Sequence, residues 1–367
     1  MNVAGKATRT IWATDEAVEI IDQTALPHAF TIRSLRSLED GAHAIASMQV
    51  RGAPLIGAAA AYGVWLAMRA DPSDHGLRAA CAALAATRPT AVNLRWALRT
   101  MAAALEPLPP GERAAAARRR ADAIADDDVA INRAIGTHAL AIIRDAAAGR
   151  GGRRVEILTH CNAGWLATVD WGTALAGVYA AHDAGLAVHV WVDETRPRNQ
   201  GAALTAWELG QHGVPHTVIV DNAGGHLMQQ GKVDLVFVGT DRTSATGDVV
   251  NKIGTYLKAL AARDCGVPFY VAAPSSSIDW TMSDAGREVE IEERGGAEVN
   301  LIAGRTESGA LATVRLTPEG TRVANPGFDV TPARLVTGIV TERGVASATR
   351  SGLGALFPTE STQAARP

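Results

Sequence analysis

Residues 155–193 read VEILTHCNAGWLATVDWGTALAGVYAAHDAGLAVHVWVD. The stretch opens on a short apolar run, VEILTH (155–160), and closes on another, AVHVWVD (187–193), each the length of a buried strand. Between them, WGTALAGVYAAHDAG (171–185) spaces its apolar residues as a helix does. Strand, helix and strand in that order predict a crossover unit, because parallel neighbours need a long connection.

Working outward, PHTVIVD (215–221), LVFVG (235–239) and PFYVAAP (268–274) repeat the strand pattern, with helical stretches such as LTAWELGQHG (204–213) between them. The alternation predicts an α/β fold with a parallel sheet covered on both faces. Upstream, the basic, glycine-rich GRGGRR (149–154) predicts a linker. Before it the chain reads as mainly helical: EDGAHAIASMQV (39–50), GAAAAYGVWLAMRA (57–70) and the Ala/Arg-rich 111–150. RTIWATDEAVEIIDQTALP (9–27) predicts a short hairpin. The division expected is a mainly helical domain over 1–148, a linker over 149–154, an α/β domain over 155–350 and a polar tail over 351–367.

Composition narrows the function classes. With 367 residues, 47% hydrophobic and 20% charged, the chain is of ordinary globular type. A formal net charge of −3 leaves no basic footprint for nucleic acid. Three cysteines, Cys81, Cys161 and Cys265, form neither a disulfide framework nor a metal-ligand spacing, so no metal and no cofactor are expected. No apolar run approaches a membrane span and no signal peptide opens the chain, so the expectation is a cytoplasmic protein without membrane contact.

The polar residues follow the strands. VEILTH runs into Cys161-Asn162, AVHVWVD into ETRPRNQG (194–201), PHTVIV into Asp221-Asn222, LVFVGT into Asp241-Arg242, and PFYVAAP into Ser275-Ser276-Ser277. In a parallel sheet all five sets gather at the edge where such folds keep their ligands. Each also has a plain reading: a buried cysteine, a capping aspartate, a solvated charged loop. Two segments suit an anion. RGAPLIGAAAAYG (51–63) sets Arg51 and a Gly52-Ala53-Pro54 turn before a helix, and GDVVNKIGT (247–255) sets Asn251 and Lys252 at the expected start of another. Neither is a nucleotide fingerprint.

With these segments in hand, the chain resembles the 5-methylthioribose-1-phosphate isomerases of methionine salvage. The stretches that carry the resemblance are VRGAPLIGAAAAYG, RPTAVNLRWAL, ILTHCNAGWLAT, VDETRPRNQGAALTAWEL, DNAGGHLM, VGTDRTSATGDVVNKIGTYLKA, PFYVAAPSSSID and NPGFDVTPARLVTGIVTERGV, in family order across nearly the whole chain. The resemblance implies a helical N-terminal domain followed by a Rossmann-like domain, a homodimer, and a sugar phosphate substrate. It implies Cys161 and Asp241 as the catalytic pair, and Arg51, Gly52, Ala53, Arg95, Gln200, Asn251 and Lys252 as substrate-binding residues. Ala163 and Gly164 then read as room for the sugar phosphate. The chain departs from the family in GTDRT around Asp241, and in Trp165 and Trp171, expected to reshape the pocket wall facing carbon 5. Two rivals stand beside this reading: an isomerase for ribose-1,5-bisphosphate or 5-deoxyribose-1-phosphate, and a non-catalytic regulatory subunit of the initiation-factor exchange complex, whose fold is related.

Overall fold

In the computed structural model, which describes residues 1–89, 91–149 and 151–363, a short antiparallel ribbon of Asn2–Val3 and Lys6–Ala7 precedes a three-stranded antiparallel sheet. Its strands are β1 (Ile11–Ala13), β2 (Val18–Ile21) and β3 (Ile32–Leu35), one more than the expected hairpin. Five helices follow: α1 (Leu38–Ala46), α2 (Ala53–Ala70), α3 (Asp74–Thr87), α4 (Val92–Leu105) and α5 (Pro110–Ala148). Ser37 caps α1 reciprocally with Asp40, and Ser73 caps α3, each supplying an acceptor for orphan amides. Helix α2 is long and apolar enough to cross a membrane, but 83% of it is buried as the centre of the helical core. Its alanines let α4 and α5 pack close on either side.

Gly151 and Gly152, both at positive φ, turn the chain after α5; Arg150 of the expected linker lies outside the described residues. Then come β4 (Val155–His160), α6 (Ala176–Asp183), β5 (Val188–Asp193), α7 (Ala206–His212), β6 (His216–Ile219), α8 (Ala223–Gln229) and β7 (Leu235–Val238). A side sheet contributes β8 (Arg242–Ser244) and β9 (Val249–Lys252), followed by α9 (Thr255–Asp264), β10 (Phe269–Ala272) and β11 (Ile278–Asp279). An exposed hairpin, β12 (Leu301–Arg305) with β13 (Leu311–Arg315), precedes β14 (Phe328–Thr331), β15 (Gly338–Thr341), β16 (Gly344–Ala346) and α10 (Arg350–Leu356).

The large sheet has the order β16-β15-β10-β7-β4-β5-β6, parallel throughout except for the β15/β16 pair. All five strands expected from the alternation are in it. GIVT and GVA add two more, joined by a tight turn in which Gly344 takes φ +138°. The side sheet runs β11-β8-β9-β14 and stands at the carboxyl end of the large one. Residues 351–363 are not a loose tail: Leu353 and Phe357 insert into the core, and a further helix covers Pro358–Gln363. Ala364–Pro367 lie outside the described residues.

Helix α5 joins the two parts. Its first half, through Ala117, Ala121 and Ile124, belongs to the helical core; its second half, through Ile135, Ala139 and Ile143, packs on α6 and covers the large sheet. Gly136 and Gly177 permit the close approach, since a Cβ at Gly177 would stand 2.4 Å from that of Ala139. Midway, the buried carboxylate of Asp128 accepts the Val169 amide at 2.7 Å, tying the loop after the cysteine to α5. Burial pushes this carboxyl up to about 7 from an ordinary 3.8, against the opposing pull of the Val169 amide and Asn132. A folded-state value above the unfolded one contributes stability that is complete below the unfolded value and lost as pH rises through the folded value. Urea midpoints should therefore fall between pH 5 and pH 8, and Asp128→Asn should show a shallower fall; an identical fall in the variant would remove Asp128 as its source.

Candidate active site

Beyond the carboxyl ends of β4 and β7 lies a cleft of about 640 Å³, its open mouth included. Eight of the nine residues expected at a site line it: Arg51, Gly52, Ala53, Cys161, Gln200, Asp241, Asn251 and Lys252. The ninth, Arg95, is an exposed residue of α4 and lines an adjoining cavity instead, its guanidinium donating to the Pro89 carbonyl.

Cys161 follows the last residue of β4 at φ +62°, a left-handed conformation that costs a non-glycine residue about 1–2 kcal/mol. The turn brings the thiol around into the cleft, where it donates to Gln200 Oε1 at 3.2 Å. Gln200 is presented by the loop after β5. Glu194 holds that loop by accepting the Gly201 and Ala202 amides at 2.9 and 3.0 Å, and a five-residue π turn over Gly201–Thr205 leads into α7. The loop is not solvated: Arg198 pairs with Glu298 at 3.0 Å, and Arg196 donates to the Val299 carbonyl at 2.9 Å.

Asp241 leaves the end of β7 and donates its amide to the Val250 carbonyl across the side sheet at 3.0 Å. Gly239 allows the strand end to approach the cysteine loop, since a Cβ there would stand 2.7 Å from that of Ala163. Arg242 is turned away and pairs with Asp279, so it does not neutralise its neighbour. Asn251 and Lys252 are not at a helix start but end strand β9. The amides opening the next helix are already taken, because Gly254 and Tyr256 donate to Asp329. Lys252 reaches the Gly327 carbonyl at 2.9 Å and lies 4.4 Å from the centre of the Phe328 ring.

The start of α2 differs from that of α9. Gly52 takes φ +90°, no side chain caps the helix, and Ala53 and Leu55 have no backbone acceptor among the described residues. Arg51, only 8% exposed, lies beside them with its fork on Asn162: Nη1 donates to Oδ1 at 2.5 Å and Nη2 to the carbonyl at 2.8 Å. Free amides, a guanidinium and the Lys252 ammonium make an anion seat.

Burial sets the titration of these groups and the charges oppose it. It pushes the Asp241 carboxyl and the Cys161 thiol up; Lys252 and Arg51 act against both shifts. Burial also pulls Lys252 down, with Cys161 and Asp241 opposing. Burial thus favours the protonated acid and thiol, while the neighbouring cations favour their anions.

Several expectations are corrected. Of the five strand-end sets, Asp221 accepts from the Arg196 amide and from Lys258, and Ser276 and Ser277 bind Asn93 of α4; these hold the fold together and do not face the cleft. Trp165 is fully buried against Trp207, and Trp171 packs under Arg133 of α5, so neither forms the pocket wall. The apolar wall belongs to the adjoining cavity, where Ile56, Ala91, Val250, Val289, Ile291 and Phe328 meet beside Asp241. Ala163 does line the cleft, but the space at Gly164 is filled by the Glu208 carboxylate, which a Cβ there would approach to 1.4 Å.

Sequence reading missed Arg88, Asn162 and Glu208. Arg88 lines both cavities, and in the sequence it is only one more basic residue in the stretch holding Arg95. Asn162 was visible only as one more polar residue at a strand end.

Residues 49–348 match the Initiation factor 2 subunit family. The methylthioribose-1-phosphate isomerase of Rhodospirillum rubrum is 64% identical over 98% of this chain and 94% of its own length. That of Acidiphilium cryptum is 64% identical over the whole of both chains. Among solved structures, 5-methylthioribose 1-phosphate isomerase from Pyrococcus horikoshii is 40% identical with a TM-score of 0.83, covering 96% of each chain. The delta subunit of translation initiation factor eIF-2B from A. fulgidus is 38% identical with a TM-score of 0.79, covering 96% of this chain and all of that one.

The α2 seat is tested by Gly52→Ala, whose Cβ would stand 2.4 Å from the Ala167 carbonyl oxygen. The variant should lose about 2–3 kcal/mol of stability and bind inorganic phosphate more weakly by calorimetry. Gly111→Ala, with open space around it, should do neither. Unchanged phosphate binding in a folded Gly52→Ala protein would remove the seat.

Proposed function

The chain belongs to the Initiation factor 2 subunit family, in its methylthioribose-1-phosphate isomerase branch, and from that premise we propose how the cleft performs the reaction. The substrate is 5-methylthio-α-D-ribose 1-phosphate and the product 5-methylthio-D-ribulose 1-phosphate, an aldose–ketose isomerisation within methionine salvage. The observation that carries this reading is the meeting of Cys161 and Asp241 in one cleft with the cations Arg51, Lys252 and Arg88.

A phosphate on the anomeric oxygen blocks ring opening from a free hydroxyl, so the ring oxygen must be protonated as its bond to carbon 1 breaks. Asp241, whose carboxyl burial pushes above its ordinary value, is the acid. The hydrogen on carbon 2 then moves with its electron pair to carbon 1, and the carbon 2 hydroxyl proton passes to the Asp241 carboxylate, leaving a carbon 2 carbonyl and restoring the acid. Cys161, kept as a thiol and donating to Gln200, is too weak a base to compete as a proton carrier and serves as a non-hydrolytic wall of the reacting carbons. The phosphate takes the seat formed by Arg51, the α2 amides and Lys252, with Asn251 beside it. The cavity next to Asp241, where Ile56, Val250 and Phe328 stand with Arg88 and Arg95, accepts the methylthio group. The phosphate contacts supply orientation for the shift.

The eIF-2B subunit of A. fulgidus has the same fold, so the fold does not separate an isomerase from a regulatory subunit. The 64% identity to isomerases and the cleft favour the enzyme. The 64% identity to methylthioribose-1-phosphate isomerases favours a methylthio substituent over the second phosphate of ribose-1,5-bisphosphate. A cytoplasmic homodimer completes the reading, supported by the exposed Val218 and Val220 at the open edge of the large sheet.

Purified protein offered methylthioribose-1-phosphate should give the ketose by phosphorus NMR, and Asp241→Asn should lose at least about a thousandfold in kcat. No turnover by the wild type would end the isomerase reading. In deuterated water the product should carry no solvent deuterium at carbon 1, while a deuterium placed on carbon 2 should be found there. Full solvent incorporation would instead make Cys161 the base of a proton-transfer route. On its alkaline side kcat/KM should fall as Asp241 ionises, and a rate that rises with pH over that range would exclude it as the acid.

A further inference from the structure

Glu208, on α7, is fully buried and plays no part in the steps above. Its two oxygens are divided between two donors from the cysteine loop. Oε1 accepts Asn162 Nδ2 at 3.2 Å, and Oε2 accepts the Leu166 amide at 3.0 Å. One turn before it, Thr205 Oγ1 accepts the same Asn162 nitrogen at 3.1 Å and donates to the Cys161 carbonyl at 2.6 Å. With its nitrogen engaged on both, the Asn162 amide can only present its oxygen on the other side, where Arg51 Nη1 donates at 2.5 Å. Gly164 is the opening through which the carboxyl reaches this position.

We propose that Glu208 is a positioning residue for the phosphate-binding arginine, acting through the Asn162 amide to fix the direction in which Arg51 faces the cleft. The proposal rests on the reading of Arg51 as a phosphate ligand. A buried guanidinium with no carboxylate in contact has its orientation set by whatever sets its acceptors. Burial pushes the Glu208 carboxyl up to about 8, with the Leu166 amide, Tyr179, Arg51 and Asn162 opposing. In its charged form it accepts both donors, whereas a carboxamide offers one acceptor and must turn its own NH₂ group toward Asn162 or Leu166. Either choice leaves a buried donor unpaired or rotates Asn162, and both loosen the fork on Arg51.

The test is a cycle of Glu208→Gln, Arg51→Lys and the double variant, each titrated with inorganic phosphate by calorimetry and assayed with methylthioribose-1-phosphate. Glu208→Gln should weaken phosphate binding about tenfold and raise KM by a similar factor, with kcat within about threefold of wild type. In the Arg51→Lys background the same change should cost less than about twofold, because the route through Arg51 is already broken. A folded Glu208→Gln protein with unchanged phosphate binding would overturn the proposal, as would effects that add fully in the double variant, the behaviour of a purely structural residue. Should Glu208→Gln fail to fold by circular dichroism, Asn162→Ser cuts the same link and is held to the same outcomes. Wild-type protein that binds no phosphate also overturns it. Wild-type protein that binds phosphate without turning over the sugar ends the isomerase reading alone, and the titrations still decide the role of Glu208.

Discussion

A buried guanidinium must be satisfied where it lies, and the place where Arg51 is satisfied is on the other half of the molecule. Arg51 precedes the first turn of α2, in the helical part; both of its acceptors belong to Asn162, which follows the strand end of the large sheet. The anion seat and the reacting pair are therefore brought together by one polar contact across the junction. Around it the junction is held by other means: α5 packs on both cores, Asp128 ties the Val169 loop to α5, and Asn93 of α4 binds Ser276 and Ser277. The helical part is thus a wall of the cleft, not an appendage.

Charge in the cleft is balanced between burial and attraction. Desolvation favours neutral Asp241 and neutral Cys161, while Lys252 and Arg51 favour their anions. Arg242 adjoins Asp241 in sequence yet adds nothing to that balance, because Asp279 on the neighbouring strand takes its guanidinium. The cations that matter come from other elements, at sequence distances no local pattern encodes.

The parallel sheet was legible because period and length separate strands from helices: VEILTH, AVHVWVD, LVFV and FYVA are short, mostly buried runs, and PHTVIV is a β-branched run at the sheet's edge. The pair GIVT and GVA was not, since a strand of three or four residues joined by a tight turn leaves too short a pattern. Cys161 and Asp241 were legible as residues at strand ends, and family resemblance named Arg51, Gly52, Ala53, Gln200, Asn251 and Lys252 beside them, but not Arg88 or Asn162. Glu208 was hidden in a helical segment where its carboxylate looks like any other solvated charge. Gly164 was misread for the related reason that a glycine declares space without declaring what fills it.

Sequence alone determined the alternation of five strands with helices and which edge of the sheet carries the chemistry, because side-chain period and chain direction are local properties. It also determined the family, because the matching motifs run through nearly the whole chain. Tertiary structure alone decided which polar residues at that edge face the cleft and which bind the fold together, which cations reach Asp241, and that a buried carboxyl stands behind Arg51. Those outcomes depend on burial and on contacts between elements far apart in the chain, and a hydrogen bond's direction is settled only when both partners are in place.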